Sequence, residues 1–423
     1  MKRISLLLAI LILSIISCDY LMIPMDVQYD HLKAYGAVYN YLKERGGKVI
    51  WALNYKGGSF IFPETAFIAD YCAARKITTL LMTESEFVST KEFIEQENME
   101  IVYLEKAPKI AVFTPLESND PGISDEPWDD AVILVLEYAE IEFKKIYIDE
   151  VLGGGLEGIE WLHLHHEDFT GQFGKFYGAY KTAKWYIDHR NWLNRKAKEK
   201  GYDSVREMFR DVSARIASFV SEGGFLFAMC SATDSLDIAL SAVHTDIVPQ
   251  EFDGTPVAGD YKNRLDLSLP FVFTGFNIVE NPDIYEFSNI DISDYSATPQ
   301  SGKEDFFLFD FSAKQDPIPT MLCQNHAKLI HGFMGQTSTF DMRFIKDTVV
   351  IMGFLKDLKR AKYVYTGYGK GFCTYYGGHD PEDFAHKIGD PPVNVQFYRN
   401  SPGYRLILNN VLFPATQKKR MKT

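Results

Sequence analysis

Positive charge is in deficit in this 423-residue sequence: 44 Lys and Arg stand against 57 Asp and Glu, a formal net charge of −13 at pH 7. A nucleic-acid binder works by displacing phosphate counterions with a cationic face. Here no basic stretch stands out except the tail Lys418-Lys419-Arg420, so no nucleic-acid partner is expected. Cysteine is scarce as well, five residues in all, with no CxxC pair and nothing like a disulfide-rich scaffold. Cys72, Cys230, Cys323 and Cys373 are widely separated and read first as buried thiols. Long apolar runs are also missing: after residue 17 nothing approaches the roughly 20 consecutive apolar residues of a spanning helix. The remainder reads as soluble and globular, long enough for a large core or two domains.

What is present begins at the N-terminus. Lys2 and Arg3 supply a positive start, and Ile4 to Ile16 form an apolar run broken only by Ser5 and Ser14. That run is too short to cross a bilayer comfortably and suits a signal peptide over residues 1–17. It ends in Ile15-Ile16-Ser17-Cys18, which resembles a lipobox, so Cys18 is expected to be lipidated and to become the mature N-terminus. Several acyl chains on one residue hold firmly, because each buried methylene contributes about 0.8 kcal/mol. A chain anchored to a membrane of the cell envelope, facing periplasm or cell surface, is the expectation. Loss of Lys2 and Arg3 takes its net charge to about −15.

Residues 18–107 alternate helical and strand patterns and read as a small N-terminal α/β unit. Helices are expected over Tyr29–Arg45, Pro63–Arg75 and Lys91–Glu97, and strands over Lys48–Leu53, Thr78–Met82 and Glu100–Leu104. Pro108 marks a fresh start, and 108–416 reads as one large domain ahead of a basic tail, 417–423. Its strands are expected at Ile110–Phe113, Lys145–Ile148, Trp161–His165, Phe225–Met229 and Phe372–Tyr376. Its helices are expected at about Trp128–Ala139, Lys181–Lys200, Ser204–Ser221 and Leu236–Val243. Strands alternating with helices favour parallel pairing and a three-layer α/β fold. Ligands bind such folds beyond the carboxyl ends of the strands.

Two strand ends bear nucleophilic chemistry. After Met229 come Cys230-Ser-Ala-Thr-Asp-Ser235, a strand turning into a helix. A thiol at that corner sits beside free helix N–H groups and would ionise more easily, with the Ser231 N–H placed to stabilise an oxyanion. The bland alternative is a small core residue with Ser231 or Thr233 as helix cap. The second strand end is Gly377-Gly378-His379-Asp380-Pro381-Glu382, where acidic residues could orient an imidazole as the third member of a triad. The candidate set is Cys230 as nucleophile, His379 as base and Glu382 or Asp380 as its orienter, with Ser231, Asp234 and Asp380 as binding groups.

These stretches carry a resemblance covering roughly residues 109–413. Gly223-Gly224-Phe225 through Ser235, with Gly369-Lys370-Gly371 through Glu382, looks like the trehalose-utilization (ThuA-like) branch of the class I glutamine-amidotransferase-like superfamily. The closing stretch Tyr404 to Leu412 is similar to that branch's terminal helix. The resemblance implies a flavodoxin-like parallel sheet and no amidase activity, since the branch usually has histidine where Cys230 stands. Cysteine there is the amidotransferase pattern, but Ala228 and Ala232 replace both glycines of Gly-x-Cys-x-Gly, and His379-Asp380-Pro381-Glu382 has one residue inserted into His-Pro-Glu. Over its full length the chain also resembles Bacteroidota lipoproteins labelled asparagine synthetase B. That chemistry would need a free N-terminal cysteine, whereas Cys18 is expected to be acylated. It would also need a Ser-Gly-Gly-x-Asp-Ser loop, whereas Ser231-Ala-Thr-Asp-Ser235 lacks the glycines that let backbone approach phosphate.

A third cluster is Trp161-Leu-His163-Leu-His165-His166-Glu167-Asp168. Alternation along a strand puts His163 and His165 on one face and His166 on the other. Imidazoles and carboxylates suit zinc or iron. Against this stands a polar strand end at a ligand mouth, with His165, His166 and Glu167 as binding groups. No metal or cofactor is assigned. Gln324-Asn325-His326 and His331, in a Pro-bounded segment, have no assigned role. Two functions follow from the sequence: a Cys/His hydrolase or amidase of the envelope, or a non-catalytic module that holds a small sugar or peptide ligand.

Overall fold

The computed structural model describes residues 19–63, 66–116, 129–316, 318–322, 327–383 and 389–416. The signal segment, Cys18, Cys323, Gln324 to His326 and the basic tail lie outside them, as does Trp128 at the start of one expected helix.

The chain first builds a five-stranded antiparallel sheet from β1 (Tyr20–Ile23), β2 (Val49–Leu53), β3 (Ser59–Phe62), β4 (Leu80–Met82) and β5 (Glu100–Leu104), in the order β4-β1-β3-β2-β5. Its helices are α1 (His31–Arg45), α2 (Ala66–Ala74) and α3 (Glu84–Gln96). Asp30 caps α1 by accepting from the Lys33 N–H, and Gly46, at φ 60°, ends it. α3 starts seven residues earlier than the periodicity suggested because Thr83 and Glu86 close a capping box. β1 and β3 were not expected. Their patterns, Tyr-Leu-Met-Ile and Ser-Phe-Ile-Phe, are too short to stand out alone.

The second sheet has ten strands: β6 (Ile110–Phe113), β7 (Lys144–Ile146), β8 (Trp161–Leu164), β9 (Phe225–Met229), β10 (Phe306–Leu308), β11 (Leu329–Ile330), β12 (Phe340–Asp341), β13 (Val350–Leu355), β14 (Arg360–Tyr368) and β15 (Gly371–Tyr376). Their order is β11-β10-β13-β14-β15-β9-β8-β6-β7, with β12 paired to β14. From β15 through β9, β8 and β6 to β7 every pairing is parallel; from β15 outward through β14 every pairing is antiparallel. The fold is therefore α/β with a mixed sheet, which corrects the expectation of parallel pairing throughout. β7 ends at Ile146, short of the expected Ile148, which opens the next helix.

The helices of this part are α4 (Ala131–Ala139), α5 (Ile148–Leu152), α6 (Tyr177–Tyr180), α7 (Lys184–Glu199), α8 (Val205–Glu222), α9 (Ala232–Ser241), the single turns α10 (Gln250–Asp253) and α11 (Tyr261–Arg264), and α12 (Pro402–Leu412). β9, Phe-Leu-Phe-Ala-Met, is buried on both faces. Phe225, Phe227 and Met229 pack with α1, α4 and α12, while Leu226 and Ala228 pack with α8 and α9. The same core holds one face of the small sheet, with Trp51, Phe60 and Phe62, so α1, α4 and α12 lie between the two sheets. α3 covers the small sheet's other face through Phe87 and Ile94. Contact between α1 and α4 depends on Gly36, where a Cβ would fall 1.8 Å from the Ala139 carbonyl oxygen. The carboxyl ends of β6, β8, β9 and β15 thus share one edge, where the two candidate strand ends and the histidine cluster meet.

Candidate functional site

At the β9–α9 corner Cys230 takes φ 52°, a left-handed conformation that non-glycine residues rarely adopt. Its N–H donates to the Gly378 carbonyl at 3.1 Å, and its carbonyl accepts from the N–H and hydroxyl of Thr233. Backbone therefore ties the cysteine corner to the Gly-Gly-His loop. The thiol is only 2 % exposed. Burial pushes it up to about 12; the backbone N–H groups of Ser231 and Gln336 oppose that, and the carboxyls of Asp291 and Asp234 add to it. The expected easily ionised thiol is not what the structure shows. At this corner desolvation outweighs the helix terminus, because α9 is buried along its whole length.

Behind the corner lies a polar network. The Thr337 hydroxyl donates to Asp234 at 2.8 Å, and Asp291 accepts from the Tyr295 hydroxyl at 2.6 Å and the Thr337 N–H at 2.9 Å. Burial raises the Asp234 carboxyl well above its ordinary range, and the neighbouring Asp291 pushes the same way. Lys362, fully buried, donates to the Phe333 and Ser338 carbonyls, and burial brings it down to about 8.

His379 donates its backbone N–H to Met334 O. Its ring lies 5.4 Å from that of His166 and 6.4 Å from that of His165. Asp380 accepts from the Tyr404 hydroxyl at 2.7 Å, and Glu382 from Ser401. Both carboxylates tie this loop to the start of α12.

The histidine cluster is the densest feature of the edge. His163 is fully buried, its Nδ1 3.1 Å from Phe227 O, and its Nε2 3.2 Å from Asp130 Oδ2. His165 Nδ1 is 3.5 Å from Asp130 Oδ1. Asp130 also caps α4, its Oδ1 accepting from Val132 and Ile133. Burial works against its charge, yet the two imidazoles hold the carboxyl well below its ordinary range. His166 stacks on His165 with ring centroids 3.8 Å apart. Burial, then its histidine neighbours, hold His166 well below the ordinary imidazole value. The Glu167 carboxylate accepts from the His165 N–H at 2.6 Å. Asp168 accepts from Thr170 and the Gly174 N–H, fixing the loop that follows.

Beside the cluster lies a cavity of about 290 Å³. Asp129, Asp130, His165, His166 and Glu167 supply its polar wall; Phe113, Phe173, Phe176, Trp185, Tyr186 and Phe209 supply its aromatic wall. Of the residues expected from sequence, His165, His166 and Glu167 line it. Cys230, Ser231, Asp234, His379, Asp380 and Glu382 sit at the same sheet edge without lining it. A larger groove of about 1180 Å³ opens at the opposite end of the strands, around Gly223–Phe225, Lys370 and Phe372. Ligands of open α/β sheets favour the carboxyl end.

Sequence reading missed Asp130, Asp291, Gln336, Thr337 and the aromatic wall. Asp130 was discoverable: an aspartate directly before Ala-Val-Ile-Leu-Val-Leu is a helix-cap signal. The others come from long connections whose placement no local pattern fixes. His331 is exposed, 3.4 Å from Asp305, away from the cluster.

No family model and no curated protein matches the chain. Among solved structures it is similar to a cytoplasmic protein of Salmonella typhimurium LT2 at 12% identity and TM-score 0.35, covering 73% of this chain and 100% of that one. A second Salmonella typhimurium cytoplasmic protein gives 11% identity and TM-score 0.34 with the same coverage. A GH42 β-galactosidase gives 13% identity and TM-score 0.28 over 70% of this chain and 29% of its own. Likeness this distant carries no argument about activity. No helix among the described residues is long and apolar enough to cross a membrane.

Proposed function

We propose that this chain is an envelope lipoprotein, anchored through Cys18, that binds a small sugar or peptide ligand through a ThuA-like, flavodoxin-like portion of the class I glutamine-amidotransferase-like type. The observation that carries the binding reading is the cavity at the carboxyl edge of β6 and β8. It combines an aromatic wall with a few converging polar groups, the usual composition of a small-molecule site. Trp185 and Tyr186 offer flat apolar surface, while His166 and Glu167 offer directed polar contacts. The parallel run β15-β9-β8-β6-β7 supports the superfamily reading. Thermal-shift screening of saccharides and short peptides, followed by calorimetry, tests it: a hit should bind more than tenfold more weakly to Trp185→Ala. Hits indifferent to that change would remove the cavity as the site.

The second reading, a Cys/His hydrolase, draws on one observation, the left-handed backbone of Cys230 with its thiol facing the Ser231 and Gln336 N–H groups. Strain at a strand-to-helix corner is how hydrolases present a nucleophile. The raised thiol weighs against it, and so does the engagement of Asp380 and Glu382 with α12.

A further inference from the structure

We propose that Asp130, His163 and His165 form a binding site for one divalent first-row transition-metal ion, zinc in the first instance, with an open coordination position toward the cavity. One atom from each of the three residues lies within 4.8 Å of the others. One imidazole, His163, comes from buried β8 and the second, His165, from the residue just past its end, while the carboxylate comes from the cap of α4.

The protons of His163 are decisive. The Phe227 carbonyl can only accept, so Nδ1 carries the hydrogen and donates it at 3.1 Å. A metal-bound histidine characteristically donates its second nitrogen to a carbonyl in this way, leaving the other nitrogen's lone pair for the ion. That lone pair, on Nε2, faces Asp130 Oδ2 at 3.2 Å without a hydrogen-bond partner. His165 Nδ1, 3.5 Å from Asp130 Oδ1, and His165 Nε2 also lack hydrogen-bond partners, and both rings are buried. A bare imidazole nitrogen packed against a buried carboxylate, as at His163 Nε2, is offset by a cation between them, which a metal ion would supply. With one ligand atom from each residue the three lie within 4.8 Å of one another, and ligands at roughly 2.0–2.2 Å from zinc stand roughly 3.3–3.5 Å apart around a tetrahedron, so a closure of about 1 Å would seat the ion.

Two imidazoles with one carboxylate suit zinc, iron or cobalt better than calcium or magnesium, which prefer oxygen donors throughout. Because Asp130 and His165 also line the cavity, the remaining position opens into it, where a ligand oxygen or nitrogen would complete the shell. The inference deepens the ligand reading and rests on it only for what fills that position.

The test uses the full chain, stripped with chelator and titrated with Co²⁺ and then Zn²⁺, without any organic ligand. One equivalent of Co²⁺ should bind with visible d–d absorption and be displaced by Zn²⁺. Asp130→Asn, which keeps a good helix cap, and His165→Gln should each weaken Co²⁺ binding at least tenfold with the far-UV circular dichroism unchanged. X-ray absorption of the zinc-loaded wild type gives an answer that needs no variant. Nitrogen and oxygen neighbours at roughly 2.0–2.2 Å, with scattering from two imidazoles, are expected. No uptake by the wild type, folded variants that bind as tightly, or a sulfur shell would each overturn the site. The titration contains no sugar or peptide, so its failure leaves the ligand reading standing, and failure of the ligand screen leaves the metal site standing.

Discussion

Alkylation of Cys230 separates the binding reading from the hydrolase reading, and the structure sets its size. An unperturbed thiol near 8.5 is about 9 % thiolate at pH 7.5, whereas one at about 12 is ionised to roughly three parts in 10⁵. The deficit is about three-thousandfold. A more basic thiolate is a better nucleophile, which returns roughly fortyfold at a Brønsted slope near 0.45. Net slowing is then roughly a hundredfold, before the near-complete burial of the side chain is counted. The assay is iodoacetamide labelling followed over time by peptide mass spectrometry, in native buffer and in urea. Cys230 should label at the free-thiol rate in urea and at least a hundredfold more slowly when folded, with His379→Ala leaving the native rate unchanged. Native labelling at the rate of an exposed thiol, slowed by His379→Ala, would refute the reasoning and restore Cys230 as a nucleophile.

Burial raises the Asp234 carboxyl, so Asp234→Asn should change stability by less than about 1 kcal/mol near pH 3, where folded and unfolded chains both carry the uncharged acid, and should be the more stable protein at pH 7. Its raised folded value means that its stabilisation is present at low pH and lost as pH rises above the unfolded value near 3.9. Urea midpoints of wild type should therefore fall relative to Asp234→Asn between pH 4 and 7; parallel curves would contradict this. Gly36→Ala should cost about 2 kcal/mol or more, because backbone of α4 rather than a flexible side chain blocks the new methyl group. An unchanged melting temperature would show that α1 and α4 are not so close. Cys18→Ala should release the chain from membranes, the anchor being that thiol alone; retention after a high-salt wash would end the lipoprotein reading.

Much of the parallel half of the large sheet was legible because β6, β8 and β9 are short apolar runs bounded by turn residues. Phe225–Met229 followed by a helix shows this, with Ser204 and Gly223 bounding the helix before it. The antiparallel half was not legible. β10 to β13 are short or irregular, and β13 meets β14 through register shifts near Gly353 that erase simple alternation. The site was half legible for a similar reason. Histidines on one strand declare their shared face by alternation, so His163 and His165 were placed together from sequence. Their carboxylate partner stands more than thirty residues earlier, on another element, and spacing alone could not assign it. Cys230 shows the opposite failure. Its corner position was read correctly, but its ionisation depends on burial by α9 and the 334–339 loop, which no local pattern reports.

A crystal structure of the chain with a ligand from the screen locates the binding site directly. Electron density is expected in the cavity at the carboxyl ends of β6 and β8, against Trp185 and within hydrogen-bond reach of His166 or Glu167. Density instead in the groove around Gly223–Phe225 and Lys370, or covalently on Cys230, would contradict the binding reading.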